Sequence, residues 1–154
     1  MNNPFDGNSY VDTREIEEYI EELESSIEEV ETQIEDLETE IDDLLDDEED
    51  GNIEEVYRLE KNREVLKDSI SYELEELEEL RQIREEVPEW YYGNTLISED
   101  EWVAYVEELL KDCGDLPNDI PWYIEIDWEK TAENVAVDYS TAEYKGHTYY
   151  YRSC

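Results

Sequence analysis

The sequence has 154 residues, of which 49 are Asp or Glu and only 11 are Lys or Arg, so its formal net charge is −38. Phosphate groups and anionic lipids repel such a chain within a Debye length, so we expect neither nucleic acid nor a membrane as a direct partner. The charge instead predicts basic proteins as partners.

Residues 1–12 are predicted to form an amino-terminal tail. The first six, Met-Asn-Asn-Pro-Phe-Asp, lack the basic start and the apolar core of a signal peptide. No apolar run in the chain approaches the eighteen or so residues of a membrane span. We therefore expect a cytoplasmic protein.

Residues 13–87 are predicted to fold as a long antiparallel helical hairpin, a coiled coil. In the first helix, apolar residues recur at alternating steps of four and three over four heptads. If Ile20 is an a position, the a residues are Ile and most d residues are Leu, which favours pairing of two helices. Asp12 and Glu15 fit as the cap and the first-turn acid. The seam consists of Ile16, Ile20, Leu23, Ile27, Val30, Ile34, Leu37, Ile41 and Leu44.

The second helix is predicted from Ile53 until Pro88, after a break at Asp-Gly-Asn, where the left-handed backbone is tolerated. Its seam is poorer, because Arg63, Glu73 and Arg84 stand where apolar residues are expected. About 35 residues flank the break on each side, which favours a hairpin within one chain; a parallel homodimer through the first helix stays open. The apolar seam positions are Ile53, Val56, Leu59, Leu66, Ile70, Leu77 and Leu80.

The charge of this hairpin is nearly as dense as that of a DNA duplex. Residues 12–87 hold 33 acidic and seven basic residues, and two helices of about 35 residues are about 53 Å long. The net density is about one negative charge per 2 Å, against about one per 1.7 Å for B-DNA. Six of the bases lie in the second helix, where they can offset the charge of the first across the seam.

Residues 46–57 are similar to an EF-hand calcium loop, with acids at positions one, three and five and Gly at position six. Tyr57 stands at position twelve in place of the bidentate Glu, and Glu48 is too long for position three. The sequence therefore favours a solvated turn, and we expect neither a metal nor a cofactor.

Residues 88–154 are predicted to form a small acidic α+β module. Ser98-Glu-Asp-Glu101 is a capping box that opens a helix, which Gly114 closes. Glu89 to Ile97 and Trp122 to Ile126 are expected to be extended. Asp127 is expected to cap a second helix that runs from Trp128 to Tyr139. The chain is predicted to end in a β-hairpin around Lys145-Gly146, with strands 141–144 and 148–152.

Two stretches of this module resemble a known family. They are 126–139, Ile-Asp-Trp-Glu-Lys-Thr-Ala-Glu-Asn-Val-Ala-Val-Asp-Tyr, and 143–152, Glu-Tyr-Lys-Gly-His-Thr-Tyr-Tyr-Tyr-Arg. An acid-aromatic-acid helix start, an Asp-Tyr pair and a terminal hairpin with Gly, aromatics and Arg resemble the repeated small domain of ArdA-type antirestriction proteins and similar phage proteins. Those proteins are elongated acidic DNA mimics that occupy the DNA groove of type I restriction enzymes, so the resemblance implies a related role. This chain departs from the family by joining one such module to a coiled coil.

The residues give no support to catalysis. With 49 carboxylates, paired acids carry no information, and the single His147 has no second His and no nucleophile motif beside it. Because no basic groove accompanies the clusters Trp90-Tyr91-Tyr92 and Tyr149-Tyr150-Tyr151, core packing with a few exposed interface anchors is the better interpretation than base stacking. Cys113 and Cys154 are expected to be free thiols. We expect a protein that is not an enzyme.

Two functional hypotheses follow. The first is an inhibitory DNA mimic, phage-encoded and acting in the host cytoplasm, that blocks the nucleic-acid groove of a restriction complex or CRISPR effector. It is favoured because Arg14 is the only base before Arg58, whereas ordinary coiled coils mix charges of both signs. The alternative is a structural coiled-coil adaptor, or a chaperone for basic proteins. The candidate contacts are Glu17, Glu21, Glu24, Glu28, Glu31, Glu35, Glu38 and Asp42.

Overall fold

A computed structural model describes residues 2–46, 53–117 and 119–153. It confirms the α+β class, with a long helical hairpin and a small antiparallel sheet that ends in a β-hairpin. The predicted break at 50–52 and half of the calcium-loop sequence, residues 47–52, lie outside the described residues. The elements are β1 (Tyr10–Asp12), α1 (Thr13–Leu45), α2 (Ile53–Glu86), β2 (Thr95–Ser98), α3 (Glu99–Asp112), α4 (Trp128–Val135), a 3₁₀ turn (Ala136–Asp138), β3 (Tyr139–Tyr144) and β4 (His147–Arg152).

The chain divides into two compact units, and their limits differ from the sequence boundaries 1–12, 13–87 and 88–154. The sheet unit contains the residues up to Tyr19 and those from Leu80 onward, and the helical-pair unit contains residues 20–79. Within the predicted tail, Tyr10–Asp12 form strand β1, in which Val11 is fully buried and pairs with Leu96 of β2. The sheet unit therefore includes the amino-terminal residues, the first turns of α1 and the last turns of α2.

The sheet has the strand order β1-β2-β4-β3, with every neighbouring pair antiparallel. The predicted terminal hairpin is confirmed. Its turn residues Lys145 and Gly146 both have positive φ, 49° and 79°, as two-residue turns that match the strand twist require.

Trp102 organises the core of the sheet unit. Its ring stacks on Tyr150 with a centroid separation of 4.3 Å, and Tyr139 contacts it edge-on at 4.8 Å. Its indole Nε1 donates a hydrogen bond to the Ala132 carbonyl at 3.1 Å. The contact joins α3 to α4 and to the sheet, as expected of a buried tryptophan whose N–H finds a partner.

Two predicted helix starts are confirmed by their caps. Ser98 Oγ accepts from the Asp100 amide at the start of α3, and Asp127 Oδ1 accepts from the Lys130 amide at the start of α4. The predicted end of α4 at Tyr139 is wrong, because Tyr139 already pairs with Arg152 in the sheet. The predicted extended run from Trp122 to Ile126 has no sheet partner among the described strands and forms an exposed loop.

The start of α1 is fixed by Thr13, whose side chain is fully buried. Its hydroxyl donates to the Trp90 carbonyl at 2.7 Å and accepts from the Asn94 amide at 2.9 Å. The predicted cap Asp12 accepts from the Arg14 amide at 2.8 Å. The Arg14 guanidinium also bonds this carboxylate and lowers the pKa of Asp12.

The helical-pair unit buries the a positions of the predicted seam, whereas Val30, Leu37, Leu44 and Leu66 are only partly buried. Every a residue of α1 is buried, and Ile41 packs against Val56 and Leu59 of α2. Ile53 is an exception to the predicted seam. It is 75% exposed, because it is the first residue of α2 and precedes the first packed turn. The buried a residues of α1 are Ile20, Ile27, Ile34 and Ile41.

Candidate partner-binding surface

The outward face of α1 carries a first row of carboxylates at heptad position b. At seven-residue spacing, successive members lie about 10.5 Å apart along the helix axis. All four were candidate contacts in the sequence, and the structure exposes all of them to solvent. We call them the b row; they are Glu21, Glu28, Glu35 and Asp42.

A second row lies at heptad position c and was not among the candidate contacts. All of its members are exposed, and at 100° per residue it lies about 100° around the helix from the b row. The signal that finds it is the acid directly after each b residue. We call these residues the c row; they are Glu22, Glu29, Asp36 and Asp43.

Between the two rows, position f carries small hydroxyl residues. Thr32 and Thr39 each donate their hydroxyl to the backbone carbonyl four residues earlier, at 3.0 Å. These donors are therefore occupied within the helix. The side chains between the rows are uncharged and short, so a cationic side chain can approach carboxylates on both sides.

The four candidate contacts at position e behave differently, because this position borders α2. Glu17, in the sheet unit, is part-buried; it pairs with Arg84 at 3.2 Å and accepts from Trp90 Nε1 at 2.7 Å. Glu38 pairs with Lys67 at 3.7 Å, and Glu24 is half-buried. Glu31 is exposed. Glu17 is thus a structural residue, and Glu31 is the position e member most open to a partner.

The carboxylates of the b and c rows are not paired with the described bases of the helical-pair unit. No ion pair among the described residues involves a member of either row. Residues 20–45 hold 12 acidic and no basic residues, which is about one charge per 3 Å of helix axis. One strand of duplex DNA carries a phosphate about every 3.4 Å. The spacing of acids along α1 is therefore close to the spacing of phosphates along a single DNA strand.

The facing helix has a different charge. Residues 53–72 of α2 hold five acids and four bases, and Arg58 forms an ion pair with Glu55 within the helix. Residues 73–79 hold five acids and no base. The helical-pair unit is thus strongly anionic on α1 and nearly neutral along the first half of α2.

An open groove of about 480 Å³ borders the c row. Leu37 and Leu66 supply apolar surface in it, and Asp36 and Glu40 supply carboxylates. Long basic side chains bury their methylene stems on such surface while the charged end reaches an acid. The groove can therefore accept a lysine or arginine of a partner.

The sheet unit has an exposed aromatic segment of its own. Trp122, Tyr123 and Ile124 are 93%, 70% and 50% exposed, and the two rings contact edge to face at 5.8 Å. Tyr91 and Tyr92 are exposed as well, whereas Trp90, Tyr149 and Tyr151 are buried. Core packing with a few exposed aromatic residues describes these clusters.

The remaining sequence expectations concern single groups. His147 is exposed at the start of β4, and Cys113 is an exposed free thiol; Cys154 lies outside the described residues. Within the described ranges, no three His, Cys, Asp or Glu side chains converge as metal ligands do. No helix in the described part of the chain is both long and apolar enough to cross a membrane.

Comparisons with known proteins give no match to a family model, to a curated protein or to a solved structure.

Proposed function

We propose that this protein is an inhibitory DNA mimic, phage-encoded, that blocks the nucleic-acid-binding groove of a host defence enzyme. The enzyme is a restriction complex or a CRISPR effector in the host cytoplasm. The observation that carries the proposal is the carboxylate surface of α1, with 12 acids and no base between residues 20 and 45. None of its b-row and c-row carboxylates forms an ion pair among the described residues. Its charge spacing of about 3 Å approaches the spacing of about 3.4 Å along one DNA strand.

The mechanism requires no catalysis. Cationic side chains that bind phosphates meet the b and c rows instead, and the attraction is a sum over many exposed pairs. Such pairs increase the association rate and weaken as salt screens them. Inhibition then consists of occupying the groove, with no cofactor or metal and no change to the nucleic acid.

The resemblance to ArdA-type proteins supports the same proposal. The residues that carry it form α4, the 3₁₀ turn and the β3–β4 hairpin of the sheet unit. In the proposal, this unit holds the ends of α1 and α2, and α1 supplies the mimicry.

Competition with DNA tests the proposal. The full-length protein is immobilised, the protein it captures from a bacterial lysate is identified and purified, and binding is measured against increasing duplex DNA. The proposal expects mutually exclusive binding and a lower affinity at high salt. Binding that is unaffected by a saturating DNA duplex would contradict it.

The Trp122–Ile124 loop favours a second candidate, an adaptor in which the sheet unit recognises a partner. Exposed tryptophan and tyrosine are the residues most often found at binding hot spots. Trp122→Ala should then abolish partner capture, while neutralising the b row leaves it unchanged. If the protein is a DNA mimic, Trp122→Ala should leave partner capture unchanged, whereas neutralising the b row should weaken it. A chaperone for basic proteins would instead capture many unrelated cationic proteins.

A further inference from the structure

The outward face of α2 carries a stripe of exposed residues that the proposed function does not use. The members follow one another at steps of four, four, three and four, so they share one face of the helix. Tyr57, Val65 and Tyr72 are 59%, 66% and 62% exposed. We call this set the α2 stripe; it consists of Tyr57, Lys61, Val65, Asp68 and Tyr72.

The α2 stripe lies on the least anionic part of the helical-pair unit. Residues 53–72 have five acids and four bases, whereas residues 20–45 have 12 acids and no base. A cationic protein surface gains little attraction here, and because acids still outnumber bases by five to four, a nucleic acid gains no net attraction either. A second copy of this chain meets less repulsion here than on the outward face of α1.

The stripe is also complementary to itself. If two copies of α2 pack antiparallel about a twofold axis between residues 64 and 65, Tyr57 of one copy faces Tyr72 of the other. Lys61 then faces Asp68, and each contact occurs twice. Within one chain, Lys61 and Asp68 are seven residues and about 10.5 Å apart along the helix, too far for an ion pair.

We propose that the α2 stripe is a homodimer contact, in which the α2 helix of a second copy packs antiparallel against the first. The aromatic pairs and Val65 supply apolar contact, and reciprocal Lys61–Asp68 ion pairs fix the register. The net charge of −38 on each copy opposes association. Because salt screens this long-range repulsion more than close contacts, added salt should strengthen the dimer. The inference is independent of the proposed function.

Charge reversal in the full-length protein tests the pairing. Sedimentation equilibrium at about 0.5 M salt, where the Debye length is only a few ångströms, gives the dimer dissociation constant of each variant. Lys61→Asp and Asp68→Lys should each weaken the dimer by about tenfold or more, since each places like charges opposite one another twice. The double variant K61D/D68K should recover the affinity of the original chain, because the pairs re-form with exchanged signs.

The net charge provides an internal control. Asp68→Lys reduces the overall negative charge and would strengthen a dimer limited only by general repulsion, whereas the proposed pairing expects it to weaken the dimer. Asp42→Lys makes the same change in charge on the outward face of α1 and should strengthen association slightly. A monomer at every concentration and salt level would overturn the proposal. So would a dimer that both single variants leave intact, or a double variant that recovers nothing.

Discussion

At the residue scale, glutamates one turn apart on the same helix have different roles. Glu17 and Glu21 are both acids of α1, yet Glu17 lies against Trp90 and Arg84, whereas Glu21 is exposed. The sequence shows the heptad positions of both. It does not show which position e acids meet a base of α2, because that depends on the register of two helices joined beyond residue 45.

We predict that Glu17→Ala destabilises the sheet unit by about 2 kcal/mol, because it removes a charged hydrogen bond and leaves the buried Trp90 N–H without its acceptor. Denaturant unfolding followed by tryptophan fluorescence measures this. Glu18→Ala, at the neighbouring exposed position, is the matched control and should cost little. Equal costs for the two variants would show that the Trp90–Glu17 contact contributes nothing.

Tyr139 should make the stability of the sheet unit depend on pH in the alkaline range. Burial, followed by a hydrogen bond with Tyr105, raises the pKa of Tyr139 to about 12. Between pH about 10 and 12 the unfolded chain loses this proton while the folded chain keeps it, so stability must fall as pH rises through this window. Below pH about 10 the contribution is fully present.

Spectrophotometric titration, combined with unfolding measurements across this pH range, checks the prediction. Tyr139→Phe should remove part of the loss of stability above pH about 10, since Phe has no proton to release. An exposed tyrosine, Tyr123, provides the control variant. A Tyr139→Phe protein with the same pH profile as the original would contradict the assignment.

At the element scale, local sequence patterns predict the helices better than they predict which strands pair. The seam of α1 follows from its apolar spacing alone, and the start of α3 follows from Ser98. Strand β1 has only three residues and pairs with β2 some 85 residues later, so no local pattern in residues 1–12 reveals it. The c row could have been found from the sequence, because each of its members directly follows a b-row acid.

The polar residues in the α2 seam predict a stabilising change. Glu73 Oε2 and Arg63 Nε are buried without a hydrogen-bond partner among the described atoms, and unsatisfied buried polar atoms cost stability. Glu73→Leu should therefore raise the stability of the helical-pair unit by about 1 to 2 kcal/mol, because it also completes the heptad.

Thermal unfolding followed by far-ultraviolet circular dichroism measures the Glu73→Leu effect. Glu75→Leu removes the same charge at an exposed position of α2 and separates the loss of charge from the gain in packing. If Glu75→Leu stabilises the protein as much as Glu73→Leu does, general repulsion rather than the seam defect sets the stability of this unit.

At the scale of the whole molecule, the net charge of −38 opposes the folded state. Raising salt from about 0.02 M to about 0.5 M shortens the Debye length several-fold and screens the carboxylates from one another. The melting temperature should therefore rise with salt. Mild acid should also raise the melting temperature, because protonation of carboxylates reduces their mutual repulsion. A melting temperature that does not depend on salt would contradict the distribution of charge described for α1.

Neutralisation of the b row tests the central proposal most directly. A variant with Glu21→Gln, Glu28→Gln, Glu35→Gln and Asp42→Asn loses four exposed pairs, which at about 0.5 kcal/mol each is roughly a thirtyfold loss of affinity for the captured partner at low salt. A control with Glu108→Gln, Asp112→Asn, Glu129→Gln and Glu143→Gln removes four exposed acids from the sheet unit. If α1 mimics DNA, the first variant should lose much of its affinity for the partner and the second variant should lose little. Equal losses of affinity would contradict the proposal.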